Sequence, residues 1–299
     1  MKKLILSLLI PICTSLGLVR AQQTAPFPYV TPPAILGGEV AEAEWVALNF
    51  WSAYDFAAAE SRYAAEANQR GFVDFISTLY ATNPTLSAEA IGRMMTLASA
   101  SEEGYWYFLE LAEKFLYDPN SPLRNDLLWD SFLRHAVGGQ SPLDEDSKVR
   151  YRMLLTLVSR NQQGSVATDF EYTRADGSRG RLHNISSPLL LVYFYNPGCG
   201  ECGRAKAQLD ASGLLDALHA RGLLKVLAVH PDEELGEWRK HLADNPSWWI
   251  SAYDKGGKIR RDDLYDLKAI PTFYLLDAQK RVMMKDPTVE DLIGVLSDL

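Results

Sequence analysis

The spacing of apolar positions changes about halfway along the chain. From Glu39 to about Arg160 it is helical. Tyr105, Phe108, Leu109, Ala112, Phe115 and Leu116 fall at i, i+3, i+4, i+7, i+10 and i+11, one stripe on a helix. Trp45, Leu48, Trp51 and Tyr54 predict an earlier helix, and Val149, Met153, Leu154, Leu157 and Val158 a later one. Large aromatic side chains at this spacing, Trp106 and Trp129 among them, read as core. The segment "DPNSPLRND" (Asp118 to Asp126) predicts a turn with Ser121 as the next helix N-cap and Pro122 at the first helical position. Residues 22–38 are rich in proline and turn formers and predict an extended lead-in.

"NQQGSVATD" (Asn161 to Asp169) is a small polar link, and beyond it strands and helices alternate. "FEYTRADGSRGRLHNI" predicts a hairpin around Asp176-Gly177. "LLLVYFY" (Leu189 to Tyr195) is a continuous apolar run, the pattern of a strand covered on both faces, and "LLKVLAV" (Leu223 to Val229) predicts a second buried strand. A helical stretch from about Arg204 to Arg221 lies between them. "DEELGEWRKHL" predicts a helix with acids at its positive end. "AIPTFYLLD", "RVMMK" and "TVEDLIGVLSDL" predict two strands and a closing helix. The order β, β, α, β, α, β, β, α implies a mixed sheet with helices on both faces. The fold expected is an all-α domain over 39–160 followed by an α/β domain over 165–299. A length of 299 residues suits about two domains.

The first residues stand apart. "MKKLILSLLIPICTSLGLVRA" has a basic start, an apolar stretch from Leu4 to Leu18 and small or apolar residues before Ala21. This predicts a signal peptide over 1–21, and hence export to the periplasm. Pro11, Thr14, Ser15 and Gly17 interrupt the apolar run, which argues against a membrane anchor. Lipidation at Cys13 is disfavoured because bulky Ile12 precedes it. Removal of the leader leaves Cys199 and Cys202 as the only cysteines, in a compartment where disulfides persist.

Charge and composition narrow the chemistry. The chain is 47% hydrophobic and 23% charged, ordinary for a globular protein, and its net charge of −8 argues against nucleic acid as the main partner. Two cysteines do not complete a four-ligand zinc site, and His183, His219 and His230 lack ligand spacing, so no metal is expected. His135 is a lone histidine on a helix.

What remains is "NPGCGECGRAK" (Asn196 to Lys206). A cysteine between a buried strand and a helix meets the unpaired N–H groups and positive end of the helix, which stabilise a thiolate. Cys202 follows about one turn later and can reach back. The spacing suits dithiol exchange, in which Cys199 attacks a disulfide and Cys202 resolves the mixed disulfide. No cofactor is needed beyond the redox-active pair. A purely structural disulfide is the alternative, but so short a loop restrains little of the unfolded chain.

From about Ser165 to Leu299 the sequence resembles the thioredoxin superfamily, in particular its exported TlpA-like thiol–disulfide oxidoreductases. The features are the "LLLVYFY" strand, "CGEC" at the following turn, a helix–strand–helix middle and "AIPT" before the next strand. The resemblance implies a thioredoxin-like α/β domain, with a cis Pro271 facing the cysteines. Ile270, Pro271 and Thr272 would pair with an extended substrate segment by strand addition. It also implies protein thiols and disulfides of the periplasm as partners, and a separate electron donor. The first half is similar to a helical domain of uncharacterised role that precedes such domains in exported proteins of Bacteroidetes. Its aromatic first helix and "DPNSPLRND" turn carry that likeness, which implies a placement and no activity.

Three positions depart from the family pattern. Gly198 stands where a Trp often precedes the first cysteine. Tyr193 stands where thioredoxins keep a buried acid, and a phenol of pKa about 10 is a poor base at neutral pH. Either Glu201, His230 or water then moves the proton, or exchange is slow. Glu201 replaces a proline, and its carboxylate disfavours a nearby thiolate, which would make the pair more reducing unless Arg204 and Lys206 offset it. A thioredoxin-like binding protein with little turnover stays open as the second reading. A peroxide-reducing relative is disfavoured, since no Thr or Pro is suitably placed before the cysteine.

Overall fold

A computed structural model describes residues 25–58, 65–232 and 235–299. The leader and Cys13 lie outside the described residues.

The first half is helical: α1 Glu39–Asn49, α2 Ala65–Leu79, α3 Pro84–Ala98, α4 Glu102–Leu116, α5 Asp126–Val137 and α6 Glu145–Val158. The long apolar stripe falls on α4, with Tyr105, Phe108, Leu109, Ala112 and Leu116 fully buried. Ser101 caps this helix by accepting the Gly104 N–H. Three expectations need correction. Trp51 and Tyr54 lie past the end of α1, where they pack edge-on against Phe108 at 4.9 and 5.5 Å between ring centres. Ser121 is not the N-cap of α5, nor Pro122 its first residue. The Ser121 hydroxyl donates to the Phe115 carbonyl at 2.5 Å and so belongs to the turn that closes α4. Asn125 caps α5 instead, its Oδ1 accepting from Leu127 and Leu128 N–H at 3.0 Å each. On α6, Val149 and Met153 face solvent. The buried face of that helix runs through Lys148, Tyr151 and Val158. Lys148 buries its apolar stem and pairs with Glu145, which hides this face from a count of apolar residues.

The second half is a seven-stranded mixed sheet. Its strands are β1 Glu171–Arg174, β2 Arg179–Arg181, β3 Leu189–Phe194, β4 Leu224–His230, β5 Ile250–Tyr253, β6 Thr272–Asp277 and β7 Val282–Lys285, in the order β2-β1-β5-β4-β3-β6-β7. β3 pairs parallel with β4 and β4 with β5, and the other pairs are antiparallel. The predicted stretch after the cysteines is two helices, α7 Gly200–Ser212 and α8 Leu214–Ala220. α9 Leu235–Lys240, α10 Lys258–Arg261 and α11 Val289–Ser297 complete the half. Alternate residues of β3 enter different cores. Leu191 and Tyr193 pack with Leu209, Leu215 and Leu292 from the helices. Leu190, Val192 and Phe194 pack with Phe170, Tyr265 and Tyr274 on the other face. This explains why β3 reads as one continuous apolar run.

The halves meet along a seam of buried charge. Asp126, at the start of α5, receives Lys268 Nζ at 2.5 Å and Lys285 Nζ at 2.8 Å. Lys268 lies over the Tyr117 ring, 4.6 Å from its centre. Arg124 pairs with Asp286 at 3.5 Å. None of the described helices is long and apolar enough to cross a membrane.

Candidate functional site

The β3 chain leaves the sheet at Phe194 and turns through Asn196-Pro197-Gly198 into α7. Gly198 has φ +73°, in the left-handed region. A tryptophan in this backbone conformation would be strained even though the space beside it is open. Cys199 is the N-cap of α7, and its Sγ accepts the Cys202 N–H at 3.3 Å. A helix N-H aimed at the sulfur is the local field a sulfur anion requires. Both cysteines are free thiols; Cys199 is half-buried and Cys202 buried.

Sheet register brings the second part of the site alongside. Phe194 at the end of β3 faces Thr272 at the start of β6. The residues before Thr272 therefore stand against the turn that carries Cys199. The Cys199 thiol donates to the Ile270 carbonyl at 3.6 Å, and the Ile270–Pro271 peptide is cis. The Thr272 hydroxyl donates to the Ala269 carbonyl at 2.6 Å and closes this loop on itself.

Tyr193 lies between two parallel rings, Tyr195 at 5.0 Å and Phe273 at 4.9 Å. Its hydroxyl donates to the Cys202 carbonyl at 3.0 Å. Burial raises its pKa far above the usual phenol value, so it acts as a prop for the first turn of α7 and not as a base. Burial, and then the hydrogen bond with Cys199, push the Cys202 thiol up to about 12. Glu201 points to solvent and pairs with Arg204, both about two-thirds exposed. Lys206 instead pairs with Asp210 at 2.5 Å and lies over the Trp249 ring. Of the two expected offsets to Glu201, only Arg204 is in contact with it.

Several functional contacts were not apparent from sequence. Asn196 Oδ1 faces His230 Nδ1 at 3.1 Å, and Asn196 Nδ2 donates to Asp232 at 2.7 Å. Arg260 Nε in turn donates to Asp232 at 2.8 Å. With Nδ2 turned to the carboxylate, Asn196 offers its oxygen to His230, so Nδ1 carries the proton. This nitrogen of His230 thus holds the turn in place. A polar residue opening a turn after an apolar strand was the one available signal. Among the described residues, no three His, Cys, Asp or Glu side chains converge as metal ligands.

The chain matches the model of a domain of unknown function, DUF5106, over residues 14–161. It is similar over 91% of its length to the crystal structure of a thioredoxin-like protein from Bacteroides caccae, with 34% identity, 98% of that chain covered and a TM-score of 0.87. The C-terminal domain of an uncharacterized protein from Bacteroides fragilis is 41% identical over 46% of this chain and 98% of its own, with a TM-score of 0.45. The thioredoxin domain of a thiol-disulfide oxidoreductase from Bacteroides vulgatus is 21% identical over 46% of this chain and 96% of its own, with a TM-score of 0.40. No curated protein matches. The likeness to the B. caccae protein spans both halves at an identity that carries family as well as fold, and the chain belongs to the thioredoxin-like proteins.

Proposed function

We propose that the protein is an exported thiol–disulfide oxidoreductase of the TlpA-like kind that reduces disulfides of periplasmic proteins. The observation that carries this reading is the free Cys199 thiol at the start of α7, with the Cys202 N–H on one side and the Ile270 carbonyl on the other. Cys199 loses its proton and attacks one sulfur of a substrate disulfide. That S–S bond breaks, and the leaving thiolate takes up a proton. Cys202 then gives up its proton and attacks the Cys199 sulfur, which releases the second substrate thiol. Two electrons have passed to the substrate, and the Cys199–Cys202 disulfide is returned to the dithiol by an exported dithiol donor. Ile270, Pro271 and Thr272 offer backbone to an extended substrate segment. The pair itself is the redox group, with no bound cofactor or metal. Residues 1–21 act as the leader, 22–38 as lead-in, 39–160 as a helical domain and 165–299 as the redox domain.

The high Cys202 pKa and the propping role of Tyr193 favour a second reading, a binding protein with slow turnover. Insulin reduction separates the two. The oxidoreductase reading expects turnover that Cys199→Ser abolishes; equal activity in both proteins overturns it. In the Cys202→Ser variant, substrates are expected to remain attached to Cys199 as mixed disulfides, readable by mass spectrometry.

A further inference from the structure

Between the end of α10 at Arg261 and the start of β6 at Thr272 the chain has no long regular element of its own, so its position depends on what holds it. The helical half and the link that follows it hold it at several points. Arg160 donates to the Asp262 and Asp263 carbonyls at 3.0 and 2.8 Å. Asn161 Nδ2 donates to the Leu264 carbonyl at 2.8 Å. The Tyr117 hydroxyl donates to Asp266 Oδ1 at 3.3 Å. The last grip is the innermost. Lys268 is 4% exposed and pairs with Asp126, 12% exposed, at 2.5 Å. Two residues later comes Ile270, whose carbonyl faces the Cys199 sulfur.

A buried ion pair of this kind adds little net stability, because desolvation of both charges offsets their attraction. It does fix geometry. Besides Asp266 of its own segment at 3.8 Å, Lys268 has the Tyr117 ring and the closer Asp126 carboxylate on the helical half, and any shift of the loop would pull its charge away from them. Asp126 gains a further favourable setting from the positive end of α5.

We propose that the helical half is a positioning element of the dithiol site: through Asp126 and Tyr117 it grips the 266–268 segment and sets where the Ile270 carbonyl stands against Cys199. The inference rests on the reading above that Cys199 is the reacting thiol. The carbonyl accepts the S–H and turns a partial negative charge toward the sulfur, so it favours thiol over thiolate. The same loop presents the backbone edge to substrate. Loosening the grip should therefore make Cys199 a more reactive nucleophile while weakening substrate docking. Lys268 and Asp126 touch neither sulfur nor substrate, so they are positioning residues.

The variant that tests this is Lys268→Met, since Asp126 keeps Lys285 as its partner and Lys285 keeps the Val158 and Arg160 carbonyls. Two readouts are taken on the purified full chain. The first is the rate of Cys199 alkylation by iodoacetamide at neutral pH, in a Cys202→Ser background. A rise of about threefold is expected from the freed thiolate, with Lys268→Arg restoring the wild-type rate. The second is insulin reduction with both cysteines present, where KM should rise about fivefold with kcat little changed. A folded Lys268→Met protein with unchanged alkylation rate and unchanged KM overturns the proposal. Should Lys268→Met not fold, Tyr117→Phe removes only the hydroxyl bond to Asp266. An alkylation rate raised by about half again then supports the grip, and an unchanged rate overturns it. If the wild-type protein shows no Cys199-dependent turnover, the oxidoreductase reading falls, and the alkylation arm still decides the positioning role.

Discussion

The dithiol turn and the seam between the halves both carry several charged side chains, and they place them oppositely. At the turn Glu201 and Arg204 pair with each other out in solvent, and the interior beside Cys202 is aromatic. At the seam Lys268, Lys285 and Asp266 are 4%, 6% and 2% exposed, packed around Asp126. Exposed pairs are worth about 0–1 kcal/mol, whereas removing one partner of a buried pair costs about 3–5 kcal/mol. The acid inside the redox motif therefore adds little to stability. The acid that matters to structure sits in a helix with no redox signature, 142 residues from its lysine partner.

The largest expected effect tests the buried side of that contrast. Asp126→Ala removes the carboxylate that Lys268 and Lys285 share and should cost about 3–5 kcal/mol of unfolding free energy in urea. A loss below about 1 kcal/mol would show that the seam behaves like surface.

The next is a pH effect at the same seam. Burial raises the Asp286 carboxyl from 3.8 to about 6, with Asp126 and Asp266 adding to the rise and the Arg124 and Lys268 cations opposing it. The folded-state pKa lies above the unfolded one, so the folded protein holds this proton more tightly. The contribution of Asp286 is then largest at low pH and is lost as pH rises from about 4 to about 6. Asp286→Asn removes it. Relative to that variant, the wild type should lose up to about 3 kcal/mol across the window. Parallel pH profiles would refute the assignment.

The smaller effects belong to the turn. Tyr193→Phe deletes the hydroxyl bond to the Cys202 carbonyl and should cost about 1 kcal/mol, with exchange rates within about twofold of wild type. A tenfold slower exchange would instead make the phenol a proton carrier. Smallest of all, Glu201→Ala should shift stability by less than about 0.5 kcal/mol. Glu201→His should make the pair modestly more oxidising in equilibrium with glutathione; a shift toward reducing would contradict the sign argued for the carboxylate.

The fold was largely legible because its signals are local. β3 is an unbroken apolar run, β4 and β6 are apolar along most of their length, and α4 carries one clean stripe. β5 was missed because Ile250–Tyr253 is four residues long and follows two tryptophans that obscure any alternation. Ser121 and Asn125 are both acceptable caps by type, and only their hydrogen bonds, Ser121 to α4 and Asn125 to the first turn of α5, decide between them. At the site, Cys199 and Cys202 stand in a short motif open to inspection, whereas Ile270, Pro271 and Thr272 are expected from the family resemblance alone. Tyr193 stood out as a departure, yet its role as a prop depends on the rings of Tyr195, just past β3, and of Phe273 on β6. Asn196, Asp232, Arg260 and the whole seam rest on pairings between distant segments. Only the sheet register and the packing of the halves bring those together.

The lead-in carries a consequence for how this sequence can drift. Phe27 is buried against Phe50, Trp51 and Tyr54, and a Cβ built on Gly71 would fall 2.2 Å from its ring. The missing side chain of one residue is the space occupied by the other. Any larger residue at 71 would evict the ring, and any smaller one at 27 would open a void beside α2. Descendants of this chain can therefore alter the two positions together, or keep both, so a segment without secondary structure inherits the constraint of a helix core.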